Sequence, residues 1–216
     1  MKLSHVLLSL IIALFLTSNV SAFGIKSLTG GGKSDSVDIN ALMDDQAALL
    51  KQVSAALLSL AKSQVLMSEA LGLKDQAAIA AQNAASLEAG ELTGKDDMKK
   101  QVTSSQEVSK AIQTKLKESE TLSAENKKIF SKSLPHYGIG AMGVVKSSKT
   151  AIEQAKSISG SKDFTVLNKL GPLLGYAKKS PKLIESFTSC TSCIVKFSKA
   201  NGIDTSDLEK ETDSWG

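Results

Sequence analysis

The sequence predicts an all-α protein, an elongated bundle of five to six helices that follows a cleaved signal peptide and a flexible leader. In every long segment after residue 38, apolar residues recur at spacings of three and four, the repeat of an amphipathic helix. No segment of useful length alternates apolar and polar residues as a half-buried strand does. Glycine and proline fall between the periodic segments, where helices are expected to end.

The first 22 residues have the pattern of a secretory signal peptide. Lys2 gives a basic start, an uncharged and mostly apolar run covers residues 6–16, and the small residues Ser21 and Ala22 suit cleavage after Ala22. The run is shorter than the roughly 20 residues that span a bilayer, so we expect no permanent membrane span. We therefore expect an exported, soluble protein of the periplasm or the extracellular space. No Asn-x-Ser/Thr acceptor site remains after cleavage, which fits a bacterial exported protein.

Residues 23–37 are rich in glycine and serine and are predicted to form a flexible leader. Gly32-Lys33-Ser34 resembles the end of a phosphate-binding loop. That motif requires glycine five residues before Gly32, and this chain has Ser27 there. The leader is therefore not a nucleotide site.

The helical bundle is predicted over residues 38–202. Its first helix should run from an N-cap at Asp38 to about Leu71, where Gly72 interrupts it. An alanine-rich second helix follows over 75–89, and the glycines at 90 and 94 bound the next turn. We expect a third helix from Asp96 or Asp97 to about residue 133, ended by Pro135.

The fourth helix is predicted to begin in the glycine-rich stretch 137–145 and to end near Ile158. A short helical piece should cover 164–179, with Gly171-Pro172 in its middle. The last main helix is expected over 182–200, with Pro181 in its first turn and Asn201-Gly202 as its cap. Residues 203–216 form an acidic C-terminal segment.

Lysine supplies all 26 basic residues, and the chain has no arginine. Without arginine's bidentate grip or a cluster of stacking aromatic rings, we expect no nucleic-acid partner. Residues 99–202 carry 18 lysines against 7 acidic residues. We favour pairing of this block with the acidic segments inside the fold, or plain solvation. The alternative is a cationic surface for anionic lipid, polysaccharide or an acidic partner.

Cys190 and Cys193 form the one motif with reactive side chains. In an oxidising compartment such a pair usually has a structural role, so we favour a candidate disulfide or an incidental pair. A thiol–disulfide redox site is the alternative, although such motifs normally sit at a helix N-terminus. A zinc site needs about four ligands, and the mature chain adds only His136. We therefore expect no metal and no cofactor.

The uncharged stretch Gly138–Val145 allows two interpretations. Small residues at this spacing usually permit close packing of helices, which we favour. The alternative is a membrane-active, pore-forming type of protein whose contacting side chains would be Ile139, Met142, Val144 and Val145.

The sequence offers no catalytic constellation. His136 has no adjacent nucleophile, and the carboxylate pairs at Asp44-Asp45 and Asp96-Asp97 lie in first turns of helices, where acidic residues are favourable. We therefore expect a non-catalytic binding or assembly protein of the envelope or extracellular space, acting through protein–protein or surface contacts. Its partner is expected to be a protein or an anionic envelope surface.

Overall fold

The protein is all-α. A computed structural model describes residues 39–119, 121–158 and 168–213, and this part of the chain contains six helices in a compact arrangement and no strand. The predicted signal peptide, the leader and the Asp38 cap lie outside the described residues. The helices are α1 (Ile39–Ala70), α2 (Lys74–Glu88), α3 (Lys95–Glu118), α4 (Ala124–Ile158), α5 (Gly171–Ala200) and α6 (Ser206–Asp213).

Three helix ends were predicted correctly from glycine. Gly72, Gly90 and Gly202 follow α1, α2 and α5, and each has a positive φ between 69° and 73°. This left-handed conformation is easily reached only without a Cβ. The glycines therefore end these helices where the sequence indicated.

Four helices surround the core, in the order α1, α4, α5 and α3, so that each packs against two neighbours. Ala56 and Leu60 of α1 meet Gly143 and Gly140 of α4, respectively, which makes these helices antiparallel. Hydrogen bonds from Tyr137 to Phe187 and between Ser147 and Tyr176 make α5 antiparallel to α4. Those from Gln113 to Ser189 and from Lys179 to Thr103 make α5 parallel to α3. Helix α2 packs outside against α1 and α3, and α6 packs against α4.

The core between these four helices is apolar. Phe130 of α4 and Phe197 of α5 place their ring centroids 5.5 Å apart, within the range of favourable aromatic pairs. All four helices contribute fully buried side chains, which include Leu60, Met67, Ile112, Phe130, Tyr137, Tyr176, Leu183, Phe187 and Ile194.

The predicted helix end at Pro135 is wrong. Helix α3 ends earlier, at Glu118, and α4 continues through Pro135. A proline inside a helix removes one backbone hydrogen bond and crowds the preceding turn. Here Leu134 and Tyr137 on either side of the proline are both buried in the core, while Pro135 faces outward. The burial of Leu134 and Tyr137 offsets the lost hydrogen bond and the crowding at Pro135, so the helix stays continuous.

The predicted boundary at Pro181 is also wrong. Helix α5 begins at Gly171, with Pro172 in its first turn, and Pro181 lies in its interior. A first-turn proline is favourable because its missing N–H would have no partner in the helix. Next to Pro181, the Ser180 hydroxyl donates to the Tyr176 carbonyl at 2.9 Å. The described part of the predicted short helix over 164–179 therefore belongs mainly to α5.

The acidic C-terminal segment contains a packed helix. Asp204 accepts a hydrogen bond from the backbone N–H of Ser206 at 2.9 Å, at the start of α6. Leu208 is buried, and Glu209 forms a 2.5 Å ion pair with Lys199 of α5. Part of the acidic tail therefore pairs with the lysine-rich block, as expected.

Candidate functional site

Cys190 and Cys193 lie in the C-terminal half of α5 and are free thiols rather than a disulfide. Cys190 is 2 % exposed, whereas Cys193 is half-buried beside α3, with its Sγ 3.5 Å from Gln113 Nε2. Residues three apart in a helix point about 60° away from each other around its axis. One thiol therefore enters the core and the other faces the α3–α5 seam, so the candidate disulfide is not formed.

The environment of Cys190 opposes thiol reactivity. Burial raises the pKa of this thiol to about 12, although the hydroxyl of Tyr137 partly counteracts the effect. Redox-active cysteines depend on a lowered pKa, which the free N–H groups of a helix N-terminus supply. Cys190 lies in the interior of α5, where the backbone N–H groups already donate hydrogen bonds to carbonyl groups of the helix. This arrangement suits a structural thiol.

Two buried tyrosines bond to hydroxyl groups across the α4–α5 interface. Tyr137 shares a 3.0 Å hydrogen bond with Thr191, and Tyr176 shares one of 2.9 Å with Ser147. Ser148 donates a further bond to Tyr176 at 3.2 Å. Burial raises the pKa of both phenols, most strongly that of Tyr137. These satisfied groups fix the two helices relative to each other.

The stretch Gly138–Val145 lies within α4, where two of its glycines allow close contact with α1. A Cβ on Gly140 would lie 2.6 Å from the backbone nitrogen of Leu60, and one on Gly143 would lie 2.6 Å from the Cβ of Ala56. Neither distance is tolerated, so the glycines set the separation of the helices. The side chains proposed to contact a membrane are divided: Val144 and Val145 are buried, Met142 is half-buried and Ile139 is 52 % exposed.

None of the described helices is both long and apolar enough to cross a lipid bilayer.

Gly138, at the start of the same stretch, is covered by α6. The Glu211 side chain occupies the space that a Cβ at Gly138 would enter, and one Leu208 methyl group lies in van der Waals contact with that position. Burial and the neighbouring carboxylate of Asp207 raise the pKa of Glu211, while Lys146 of α4 opposes the shift.

A row of polar side chains lies where α3 meets α5. Lys95 crosses α5 at Gly175, its Cε and Cγ each 3.5 Å from where a Cβ would be. Further along, Lys179 Nζ donates to Thr103 Oγ1 at 3.5 Å, and Gln113 donates to Ser189 Oγ at 2.8 Å. Helical spacing adds more residues to this face. We call the set the lysine stripe: Lys95, Lys99, Thr103, Gln106, Lys110, Gln113 and Lys117 of α3, with Lys179 and Lys182 of α5.

The lysine stripe contains no carboxylate. Acidic residues of α3 lie beside it, since Asp96 and Glu107 line the same surface groove as Lys99 and Thr103. No lysine of the stripe forms an ion pair with another described residue. Burial, together with the charge of Lys99, lowers the pKa of Lys179. The stripe thus brings positive charges together along one face.

The charge totals of whole segments of the sequence do not reveal this stripe. The signal was present in the spacing of four, seven and eleven residues between the lysines of α3, which places them on one helix face. The lysine-rich block pairs with the acidic tail at Lys199, but that contact lies outside the stripe.

A helix end at Pro135 would place His136 in a turn, but His136 lies on an exposed part of α4. Partial burial, and secondarily the charge of Lys62, lowers its pKa. Within the described ranges, no three histidine, cysteine or acidic side chains converge as metal ligands would.

No protein-family model, curated protein or solved structure matches this chain.

Proposed function

We propose that this chain is an exported, non-catalytic helical binding or assembly protein of the cell envelope or extracellular space, and that it binds an anionic partner surface. The observation that carries the proposal is the lysine stripe, in which lysines of α3 and α5 line one seam and none of them forms an ion pair with another described residue. Grouping like charges costs free energy in the isolated protein, and an anionic partner removes that cost.

The surroundings of the reactive groups support a non-catalytic role. Cys190 is shielded, and its raised pKa disfavours the thiolate that redox chemistry needs. Asp97 accepts hydrogen bonds from the hydroxyl and the backbone N–H of Thr93, at 2.8 and 3.2 Å, which lower its pKa. This carboxylate therefore stabilises the start of α3 and stays ionised, which makes it a poor general acid or base.

Export is the second part of the proposal, and the signal-peptide pattern of residues 1–22 supports it. The protein recovered from the periplasm or medium of the producing cell should begin at Phe23, as determined by N-terminal sequencing. An intact Met1 on cytosolic protein would contradict this part.

Binding is tested by cosedimentation of the mature protein with the envelope fraction of the producing cell. The stripe variant carries Lys99→Gln, Lys110→Gln and Lys179→Gln. Its matched control carries Lys51→Gln, Lys128→Gln and Lys132→Gln, three lysines away from the stripe with no ion pair among the described residues. Wild type and control should bind and the stripe variant should not.

Equal binding by all three proteins would reject the stripe as the binding surface. Release of dye from anionic liposomes would favour the membrane-active alternative. Catalysis of insulin reduction that is lost in Cys193→Ala would favour the thiol–disulfide alternative.

A further inference from the structure

We infer that the partner of the lysine stripe is a linear polyanion, a flexible chain with repeating phosphate or sulfate groups, that lies along the seam between α3 and α5. This inference rests on the proposed function and specifies the chemical class of the partner. Its first support is the shape of the stripe. From Lys95 to Lys117 the stripe follows α3 for about 33 Å, at 1.5 Å per residue. A row of this length fits an extended chain better than a compact anion.

The lysines approach the seam from both helices. Lys95 rests its aliphatic stem on α5 at Gly175, where no side chain obstructs it. From the opposite side, Lys179 reaches α3 and is close enough to Lys99 for the two charges to interact. A negatively charged chain in the seam would therefore meet ammonium groups from α3 and from α5.

The stripe lacks the apolar anchors of a protein interface. Its members are lysine, threonine and glutamine, and the adjoining seam positions of α5 are Gly175, Ser186, Ser189 and the half-buried Cys193. Binding energy between proteins is concentrated in buried aromatic, apolar and arginine side chains at the centre of the interface. An acidic protein would find only charge here, so a polyanion is the better match.

The recessed groups of the stripe also argue against a flat membrane. Lys179 and Thr103 are half-buried, and Gln113 lies between the helices, bonded to Ser189. A chain that enters the seam can reach these donors, whereas the headgroups of a planar bilayer contact only the outermost lysines. The described part of the stripe also has no apolar side chain to insert beneath headgroups.

The chemistry of lysine defines how such a chain would be recognised. Lysine acts as a point charge and gives no bidentate geometry, so charge density rather than a particular repeating unit should determine affinity. Each phosphate neutralised on a single-stranded polyanion contributes roughly −0.7 to the slope of log K against log salt. If all six lysines of the stripe engage, the slope should be about −4.

The test uses the mature protein with three probes: inorganic polyphosphate, dextran sulfate, and vesicles of equal parts phosphatidylcholine and phosphatidylglycerol. Affinity is measured over a range of salt concentrations by fluorescence anisotropy for the labelled polymers and by cosedimentation for the vesicles. Lys99→Gln/Lys110→Gln/Lys179→Gln is compared with Lys51→Gln/Lys128→Gln/Lys132→Gln, which has the same net charge. Circular dichroism and thermal unfolding verify that both variants fold.

The inference requires that at least one of the two polymers binds better than the vesicles. It also requires that the slope of log K against log salt for that polymer becomes shallower by about 2 in the stripe variant and not in the control. Binding to one polymer only would identify phosphate or sulfate as the source of the anion. Binding to vesicles but not to polymers would overturn this inference and leave the proposed function intact. Failure to bind any probe, together with failure to bind the envelope fraction, would overturn both.

Discussion

At the scale of single residues, the environment of Cys190 depends on its position along α5. The sequence placed it on the same apolar face as Phe187 and Ile194, and all three side chains are buried. The periodicity could predict this burial, since it depends only on the helix repeat. It could not reveal that Cys193 faces Gln113, because that contact depends on where α3 packs.

The two thiols should differ in reactivity. In the folded protein at neutral pH, iodoacetamide should modify half-buried Cys193 well before Cys190, whose burial raises its pKa to about 12. The order of modification is read by mass spectrometry of quenched samples. Cys190→Ala should lower the free energy of unfolding by about 1–3 kcal/mol because it leaves a space in the core. Cys193→Ala should lower the free energy of unfolding by a smaller amount, because Cys193 is only half-buried.

Equal alkylation rates in the folded protein would contradict this expectation. Mixed disulfides formed by the remaining Cys190 thiol of Cys193→Ala with other proteins would contradict it as well.

At the scale of helices, the sequence predicted the glycine ends and missed the two interior prolines. The glycine after each of α1, α2 and α5 ends its helix by a local effect, because it adopts a positive φ that other residues avoid. Pro135 and Pro181 also act locally, but burial of the turns on both sides outweighs their cost. That burial comes from helices distant in the chain, so a local rule could not anticipate it. The lysine stripe, by contrast, could have been found from spacing alone.

The crossing of α1 and α4 should be sensitive to a single methyl group. Gly140→Ala would place a Cβ 2.6 Å from the Leu60 nitrogen and 2.9 Å from the Ala56 carbonyl oxygen. The backbone has to move, so we expect a loss of about 1–3 kcal/mol in the free energy of unfolding. The measurement is urea unfolding followed by circular dichroism.

Gly175→Ala is the matched control, since this glycine also lies inside a helix. A Cβ there would be 3.5 Å from the Lys95 side chain, an ordinary contact. This variant should gain up to about 1 kcal/mol from higher helix propensity. If Gly140→Ala is as stable as Gly175→Ala, the helices are not in contact at Gly140.

At the scale of the whole molecule, the α4–α5 interface should control stability at high pH. Tyr137, Tyr176 and Cys190 all have a pKa raised by burial, above ordinary values of 10.0 for tyrosine and 9.0 for cysteine. The folded state therefore keeps these protons after the unfolded state has released them. Stability is unaffected by these groups below pH 9 and falls as pH rises past their ordinary pKa values.

We expect each group to contribute a loss of about 1.4 kcal/mol per pH unit above its unfolded pKa. The chain has only two tyrosines, so tyrosinate absorbance should rise together with the loss of helical circular dichroism. Tyr137→Phe should make the decline with pH shallower, and Thr191 would keep its 2.7 Å bond to the Phe187 carbonyl. Titration of both phenols near pH 10 in a fully helical protein would contradict this prediction.

The packing of α1 against α4 has a consequence for the nascent chain. Ala56 and Gly143, which meet in the native protein, are separated by 87 residues of sequence. At synthesis rates of about 5–20 residues per second, α1 waits on the order of ten seconds for its principal partner. Helix α2 arrives sooner but covers only part of α1. The apolar face of α1 is therefore exposed during this interval. A holding chaperone that binds this face would keep the chain unfolded until α4 has been made.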